Sequence, residues 1–175
     1  MKILITGVLG VIGSKLEEIL KIRGHEVFGV DLFHTSRNYG HGMGKVDGDD
    51  YFRCDIGEFR QIENVIEYVK PDLVYNCAAE FGRWNSSSEV YGDYEGIMYE
   101  DVLKQTPIIQ MNDYAMSKRV NEMQVHNSRE QYGTETVMVR FFNTYGPGEW
   151  YHPFRSVNCL FTYNLLHEKP ITVFK

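Results

Sequence analysis

The chain has 175 residues, about the length of one domain, and 43% of them are hydrophobic, enough for one real core. A formal net charge of -6 with no basic stripe speaks against a nucleic-acid partner, so an anionic substrate would have to be met by local Arg or Lys side chains. The three cysteines, Cys54, Cys77 and Cys159, are odd in number and form no C-x-x-C pair, which excludes a disulfide framework or zinc centre as the organising feature and fits a reducing, cytoplasmic setting with no metal.

The opening residues, Met1 to Gly7, carry an apolar run too short for a secretory leader, and no later stretch approaches a membrane span. Ile3 to Thr6 reads as a buried parallel strand ending in glycine. Val11, Ile12, Leu16, Ile19 and Leu20 follow at helical spacing, and Gly24 stops that helix. Glu26 to Asp31 is a second strand, so the chain opens β-α-β. Residues 34–50 hold four glycines in a polar context and read as a loop. Tyr51 to Ile56 predicts a short strand, and Phe59, Ile62, Val65, Ile66 and Val69 an amphipathic helix ended by Pro71. Asp72 to Ala79 predicts a further buried strand. Beyond it, Asp113 to Tyr132 reads as a long helix, Thr136 to Phe142 as a strand, Leu160 to Leu166 as a helix and Ile171 to Phe174 as a strand. The alternation predicts an α/β fold, a Rossmann-type doubly wound parallel sheet.

Gly7, Gly10 and Gly13 form G-x-x-G-x-x-G between the first strand and first helix. Glycines there permit a tight turn, close approach of a pyrophosphate and packing of helix on sheet, while the helix N-terminus offers amides and a positive dipole to phosphates. Asp31 ends the second strand, 18 residues after Gly13. A carboxylate there accepts hydrogen bonds from the adenosine ribose and repels a 2′-phosphate, so NAD is expected rather than NADP, with Arg37 in the following loop as a softening influence. Asp55 and Ile56 are candidates to lie along the adenine, or form an ordinary strand end.

Tyr114-Ala115-Met116-Ser117-Lys118 is Y-x-x-x-K, and no other of the twelve tyrosines has Lys four residues on. On a helix these two side chains share a face. A neighbouring ammonium favours the phenolate, and such a tyrosine can take a proton from a hydroxyl while hydride leaves for a nicotinamide.

The glycine loop, Asn76-Cys77-Ala78-Ala79, Ser86-Ser87-Ser88-Glu89-Val90-Tyr91-Gly92, Tyr114 with Lys118, and Arg140-Phe141-Phe142-Asn143-Thr144-Tyr145-Gly146-Pro147 occur in that order. Together they resemble the extended short-chain dehydrogenases, the NAD-dependent epimerase/dehydratase family. The resemblance implies an enzyme acting on a nucleotide sugar through transient oxidation at C4, working as a homodimer. It implies that Ala78 and Ala79 border the cofactor, that Ser87 hydrogen-bonds the C4 oxygen with Ser88 beside it, that Tyr114 is the base with Lys118 its partner, and that Asn143 contacts substrate near its phosphates. The Ser88-Glu89 pair resembles GDP-mannose 4,6-dehydratases and UDP-glucuronate decarboxylases, which makes Glu89 a candidate second base. A nucleotide-sugar 4-epimerase and a non-catalytic NAD-binding protein are the other readings. Glu149 to Arg155 mixes aromatics with a cation and suits either a ligand contact or core packing.

One junction departs from the pattern. Only six residues, Glu80 to Asn85, separate the strand ending at Ala79 from the serine motif, whereas parallel neighbours need a crossover of about ten or more. Either the strand before Ser86 is absent or a segment of roughly thirty residues or more, one strand and one helix, is missing between 85 and 86; the second is expected. The expected organisation is a dinucleotide-binding domain over 1–148 and the truncated beginning of a substrate lobe over 149–175.

Overall fold

A computed structural model describes residues 1–32, 49–79, 113–141, 144–149, 151 and 156–173, with the backbone alone for 113–115. In chain order the elements are β1 (Lys2–Thr6), α1 (Val11–Ile22), β2 (Glu26–Asp31), β3 (Tyr51–Arg53), α2 (Phe59–Val69), β4 (Leu73–Asn76), α3 (Asp113–Tyr132) and α4 (Val157–Leu166). The chain divides into two compact units, residues 1–80 with 145–175, and residues 81–144.

In the first unit the strands form one parallel sheet in the order β3-β2-β1-β4. That order is the first half of the expected doubly wound sheet, with the chain switching sides about β1. Alternation along β1 sorts the core into two layers. Ile3 and Ile5 pack with Val8, Leu9, Leu20 and Val27 on one face. Leu4 packs with Val30, Cys54, Val65 and Val69 on the other. The first layer takes Leu20 of α1 and the second takes Val65 and Val69 of α2. Each fully buried Leu, Ile or Val contributes about 1.5–3 kcal/mol relative to exposure. Gly29 leaves room in β2 for Val8, since a Cβ there would stand 2.7 Å from Val8 Cγ1.

Helix α1 closes as its sequence predicts. Gly24, at φ +81°, donates to Lys21 O and His25 to Leu20 O, the paired bonds of a Schellman end. Helix α2 ends on Lys70 in the left-handed region, one residue before Pro71. Helix α4 begins at Val157, earlier than expected, because Ser156 caps it and accepts from the Cys159 amide at 3.4 Å.

Three expectations are corrected. β3 stops at Arg53, leaving Asp55 and Ile56 in the following turn. β4 is an edge strand among the described residues, pairing with β1 alone, so Leu73 and Val74 are 37% and 46% exposed rather than buried. The segments 136–141 and 171–173 form no strand. A β-strand needs a neighbour to take its amides and carbonyls, and neither segment has one among the described residues, leaving Val137 86%, Val139 65% and Val173 73% exposed.

Candidate functional site

The glycine loop is anchored to the end of β2. The amides of Gly7 and Val8 both donate to Val30 O, at 2.8 and 3.2 Å, and the Leu9 amide donates to Asp31 Oδ2 at 3.0 Å. Gly10 turns back onto Gly7 O at 3.0 Å and is the N-cap of α1, without a side-chain cap. The first intrahelical bond runs from the Ser14 amide to Gly10 O at 2.9 Å. The amides of Val11, Ile12 and Gly13 therefore belong to the set that a helix leaves without internal acceptors.

The three glycines do different work. A Cβ on Gly13 would sit 2.2 Å from Gly7 O and 2.8 Å from Val8 Cα, so α1 reaches the sheet only because Gly13 has none. Gly7, at φ +67°, abuts β4, and a Cβ there would lie 2.7 Å from Ala78 Cα and N. Among the described residues a Cβ on Gly10 would meet only Gly7 O, at 3.1 Å. That position, beside three first-turn amides at a positive helix end, fits a diphosphate. The cradle thus suits the dinucleotide expected from the sequence.

Asp31 stands at the C-terminal edge of the sheet beside this loop. Its Oδ2 holds Leu9, and its Oδ1 accepts the Leu32 amide at 2.8 Å. Tyr51 packs alongside, its hydroxyl donating to Asp31 O at 3.4 Å; burial, then the Asp31 charge, push its phenol well above the ordinary range. Asp55 and Ile56 follow β3 on the same edge. Asp55 Oδ1 accepts the Gly57 amide at 2.8 Å, and Ile56 is exposed.

On the other side of β1, Thr6 is the buried polar residue among the described positions. It lies opposite Asn76 in the parallel register. Its Oγ1 donates to Asn76 Oδ1 at 2.6 Å and accepts the Ala78 amide at 3.3 Å, which fixes the Cys77–Ala79 turn next to Gly7. Burial raises the Cys77 thiol above its usual pKa, keeping it a thiol rather than a nucleophile.

In the second unit, α3 carries Tyr114 and Lys118 one turn apart on one face, with Lys118 half-buried. One turn further on, Glu122 accepts from Arg119 Nη1 at 3.2 Å and from Arg140 Nε and Nη2 at 2.7 and 3.0 Å. Arg140, then Arg119, hold its carboxyl below the usual range. Ser87, Ser88, Glu89, Asn143 and Arg37 lie outside the described residues. The Thr6 latch, the double acceptor Val30 O and the Glu122–Arg140 pair escaped the sequence reading.

The model of the NAD-dependent epimerase/dehydratase family matches the chain in two consecutive stretches, residues 3–85 and 83–175, that meet at 83–85. Among curated relatives, the dTDP-4-dehydro-6-deoxy-D-allose reductase of Streptomyces bikiniensis is 26% identical over an alignment of 194 positions covering 88% of this chain and 59% of that protein. The UDP-glucuronic acid decarboxylase 1 of Xenopus tropicalis is 30% identical over 83% of this chain and 42% of that protein. The chain spans about half to two thirds of the length of the first such relatives. Among solved structures, the UDP-glucose 4-epimerase of Thermus thermophilus, in complex with NAD, superposes with a TM-score of 0.77 at 24% identity, over 99% of this chain and 65% of that one, which establishes the fold. With the family model covering nearly every residue, the chain belongs to the NAD-dependent epimerase/dehydratase family, whose cofactor is NAD.

Proposed function

We propose that the chain modifies a nucleotide sugar through transient oxidation at sugar C4, as a 4,6-dehydratase or a uronate decarboxylase. The observation that carries this is the placement of Tyr114 and Lys118 one turn apart on α3, in a chain whose first unit holds a dinucleotide cradle. Bound NAD supplies the hydride acceptor, and Gly7, Gly10, Gly13, Asp31 and the turn at Ala78 and Ala79 hold it, with Asp55 and Ile56 along the adenine. Tyr114 takes the proton from the C4 hydroxyl. Lys118 keeps its phenol acidic and holds the nicotinamide ribose. Ser87, with Ser88 next to it, hydrogen-bonds the C4 oxygen, and Asn143 contacts substrate near its phosphates.

The C4 ketone then activates its neighbours. In a dehydratase, Glu89 removes the C5 proton, the electron pair left behind expels the C6 hydroxyl, which leaves as water with the proton Glu89 took, and the hydride removed from C4 would be restored at C6 while C5 regains a proton. In a decarboxylase, the ketone is β to the C6 carboxylate. The C5–C6 bond breaks, carbon dioxide leaves, the electron pair rests on the C4 oxygen beside Ser87 and Tyr114, C5 takes up a proton, and the hydride removed at the start would be restored to C4 as Tyr114 returns the proton to its oxygen. The 30% identity to a UDP-glucuronic acid decarboxylase supports the second route. Ser88 stands where an Asp acid precedes the Glu in dTDP-glucose dehydratases, which argues against that dehydratase type and leaves both a dehydratase of the GDP-mannose type and a decarboxylase.

The organisation proposed is a dinucleotide-binding domain over 1–148 and the beginning of a substrate lobe over 149–175, in a cytoplasmic homodimer. No described helix is long and apolar enough to cross a membrane. A family segment is proposed to be missing between 85 and 86. The two family-model stretches meet at 83–85. The 194-position alignment draws on only 88% of 175 residues, about 154, so about 40 positions of that relative have no counterpart here.

The test is to supply NAD and a panel of UDP-, dTDP-, GDP- and CDP-sugars and weigh the products. Loss of water identifies a dehydratase and loss of carbon dioxide from a uronic acid a decarboxylase. An isomer of unchanged mass identifies a 4-epimerase and removes Glu89 from the mechanism. Full turnover by Tyr114→Phe would overturn the catalytic assignment, and NAD binding without turnover of any sugar would leave a non-catalytic binder.

A further inference from the structure

We propose that Asp31 is a positioning residue for the glycine loop, so that the loop's ability to hold a diphosphate depends on a carboxylate that does not touch the diphosphate. This rests on the reading of the loop as a dinucleotide cradle. Three consecutive amides of the loop point at the end of β2. Val30 O takes two of them, from Gly7 and Val8. The third, from Leu9, is taken by Asp31 Oδ2 at 3.0 Å. The other oxygen, Oδ1, takes the Leu32 amide at 2.8 Å, so both oxygens are engaged by backbone. Leu9 lies in the middle of the turn between Gly7 and Gly10, and its side chain is buried in the core layer shared with Ile3, Ile5 and Leu20. Its amide is partly buried, so removing the carboxylate costs it a hydrogen bond that water replaces less readily than at an exposed site. Anchoring Gly7, Val8 and Leu9 to β2 fixes the turn that leads through Gly10, the N-cap of α1, to the first-turn amides of Val11, Ile12 and Gly13.

The consequence concerns specificity. If Asp31 served only as a ribose acceptor, replacing it with a neutral residue would trade NAD for NADP. As an anchor, it cannot be neutralised without loosening the loop, and affinity falls for both dinucleotides.

Electrostatics and anchoring make opposite demands on a ligand that lacks the ribose hydroxyls. Removing a nearby negative charge should tighten an anion, whereas freeing the loop should weaken it. The probe is therefore 2′,3′-dideoxyadenosine 5′-diphosphate, titrated by calorimetry into the wild-type chain and into Asp31→Ala and Asp31→Asn. Asp31→Ala is expected to bind it roughly tenfold more weakly, the effect of one partly buried amide losing its partner. Asp31→Asn, with one acceptor oxygen for two amides, is expected to fall between. Unchanged or tighter binding by Asp31→Ala would overturn the proposal. Amide hydrogen exchange on the cofactor-free protein gives a second arm. The Leu9 amide should exchange at least about tenfold faster in Asp31→Ala while those of Leu4 and Ile5 keep their protection. Equal Leu9 exchange in both proteins would also overturn it. If the wild-type chain bound neither NAD nor the probe, the dinucleotide reading would fail, and the exchange arm would still decide whether Asp31 anchors the loop.

Discussion

Arg140 grips Glu122 with two bonds, Nε to Oε1 at 2.7 Å and Nη2 to Oε2 at 3.0 Å, tying the helix that bears Lys118 to the segment that leads to Asn143. Glu122 lies one turn past Lys118, and Arg140 lies three residues before Asn143. The pair thus fixes the spacing between two elements that the proposed chemistry needs together. Because Arg140 is 43% exposed, its worth is screened, and Glu122→Gln is expected to cost about 1 kcal/mol or less. The sign with pH follows from the lowered carboxyl. A depressed folded-state pKa stabilises fully above the unfolded value of about 4.3 and is lost as pH falls through the lower folded value. Denaturant midpoints of wild type and Glu122→Gln should therefore differ at pH 7 and converge toward pH 3. A constant difference across that range would show that the carboxylate's charge is not what holds the pair.

Thr6 joins the fold to the cradle by a single hydroxyl. It donates to Asn76 and receives the Ala78 amide, so Thr6→Val keeps shape and volume but strips both partners. Asn76 is exposed and can turn to water; the Ala78 amide is half-buried and cannot do so as readily. A loss of about 1 kcal/mol in urea unfolding is expected, with weaker NAD binding because the turn beside Gly7 is freed. Thr6→Ser should recover both. Equal stability of all three proteins would show that the latch carries no energy.

Gly10 and Gly13 separate ligand space from packing space. An alanine at Gly13 drives its Cβ to 2.2 Å from Gly7 O, a backbone atom that cannot move aside, so Gly13→Ala is expected to lose about 1–3 kcal/mol or more along with cofactor binding. At Gly10 the backbone is extended, φ -76°, and a Cβ meets one atom at 3.1 Å. Gly10→Ala should fold with a melting temperature near wild type yet bind NAD more than about tenfold more weakly, because its methyl fills the space kept for the diphosphate. Melting curves with and without NAD check both. A Gly10→Ala protein that NAD still stabilises fully would place the diphosphate elsewhere.

The parts of this molecule that could be read in advance are those whose signal is local. The apolar run from Ile3 to Thr6, the 3.6-residue spacing from Val11 to Leu20 and the glycine at 24 each specify their own element, and β1, α1 and β2 formed where expected. The glycine turn was legible for the same reason, since Gly7, Gly10 and Gly13 are spaced by the turn they build. The strand expected from Thr136 to Phe142 does not form over 136–141, because alternation reports what a segment would bury, whereas a strand exists only when a neighbour takes its hydrogen bonds. β4 was over-read in the same way: Leu73 and Val74 carry the composition of an interior strand and sit at an edge among the described residues. The Thr6–Asn76 and Glu122–Arg140 contacts join positions 70 and 18 residues apart, and one sequence carries no record of which distant polar groups meet.

The exposed valines of the 136–141 segment test the proposed gap. Their alternation with Thr136, Met138 and Arg140 is that of a strand, and Val137 and Val139 stand uncovered at 86% and 65%. Such an apolar segment, with no neighbouring strand among the described residues, pairs with whatever edge is offered and invites aggregation. Inserting between 85 and 86 the roughly 40 positions that the Streptomyces bikiniensis relative has in excess would supply one strand and one crossover helix. The grafted chain is expected to show more strand by circular dichroism, slower hydrogen exchange at the Val137 and Val139 amides by at least about tenfold, and less self-association in sedimentation. Two buried valines, at about 1.5–3 kcal/mol each, would make the graft measurably more stable than the 175-residue chain. If Val137 and Val139 exchange equally fast in both proteins, the segment does not wait for a missing neighbour, and the serine motif follows Asn85 without a lost strand.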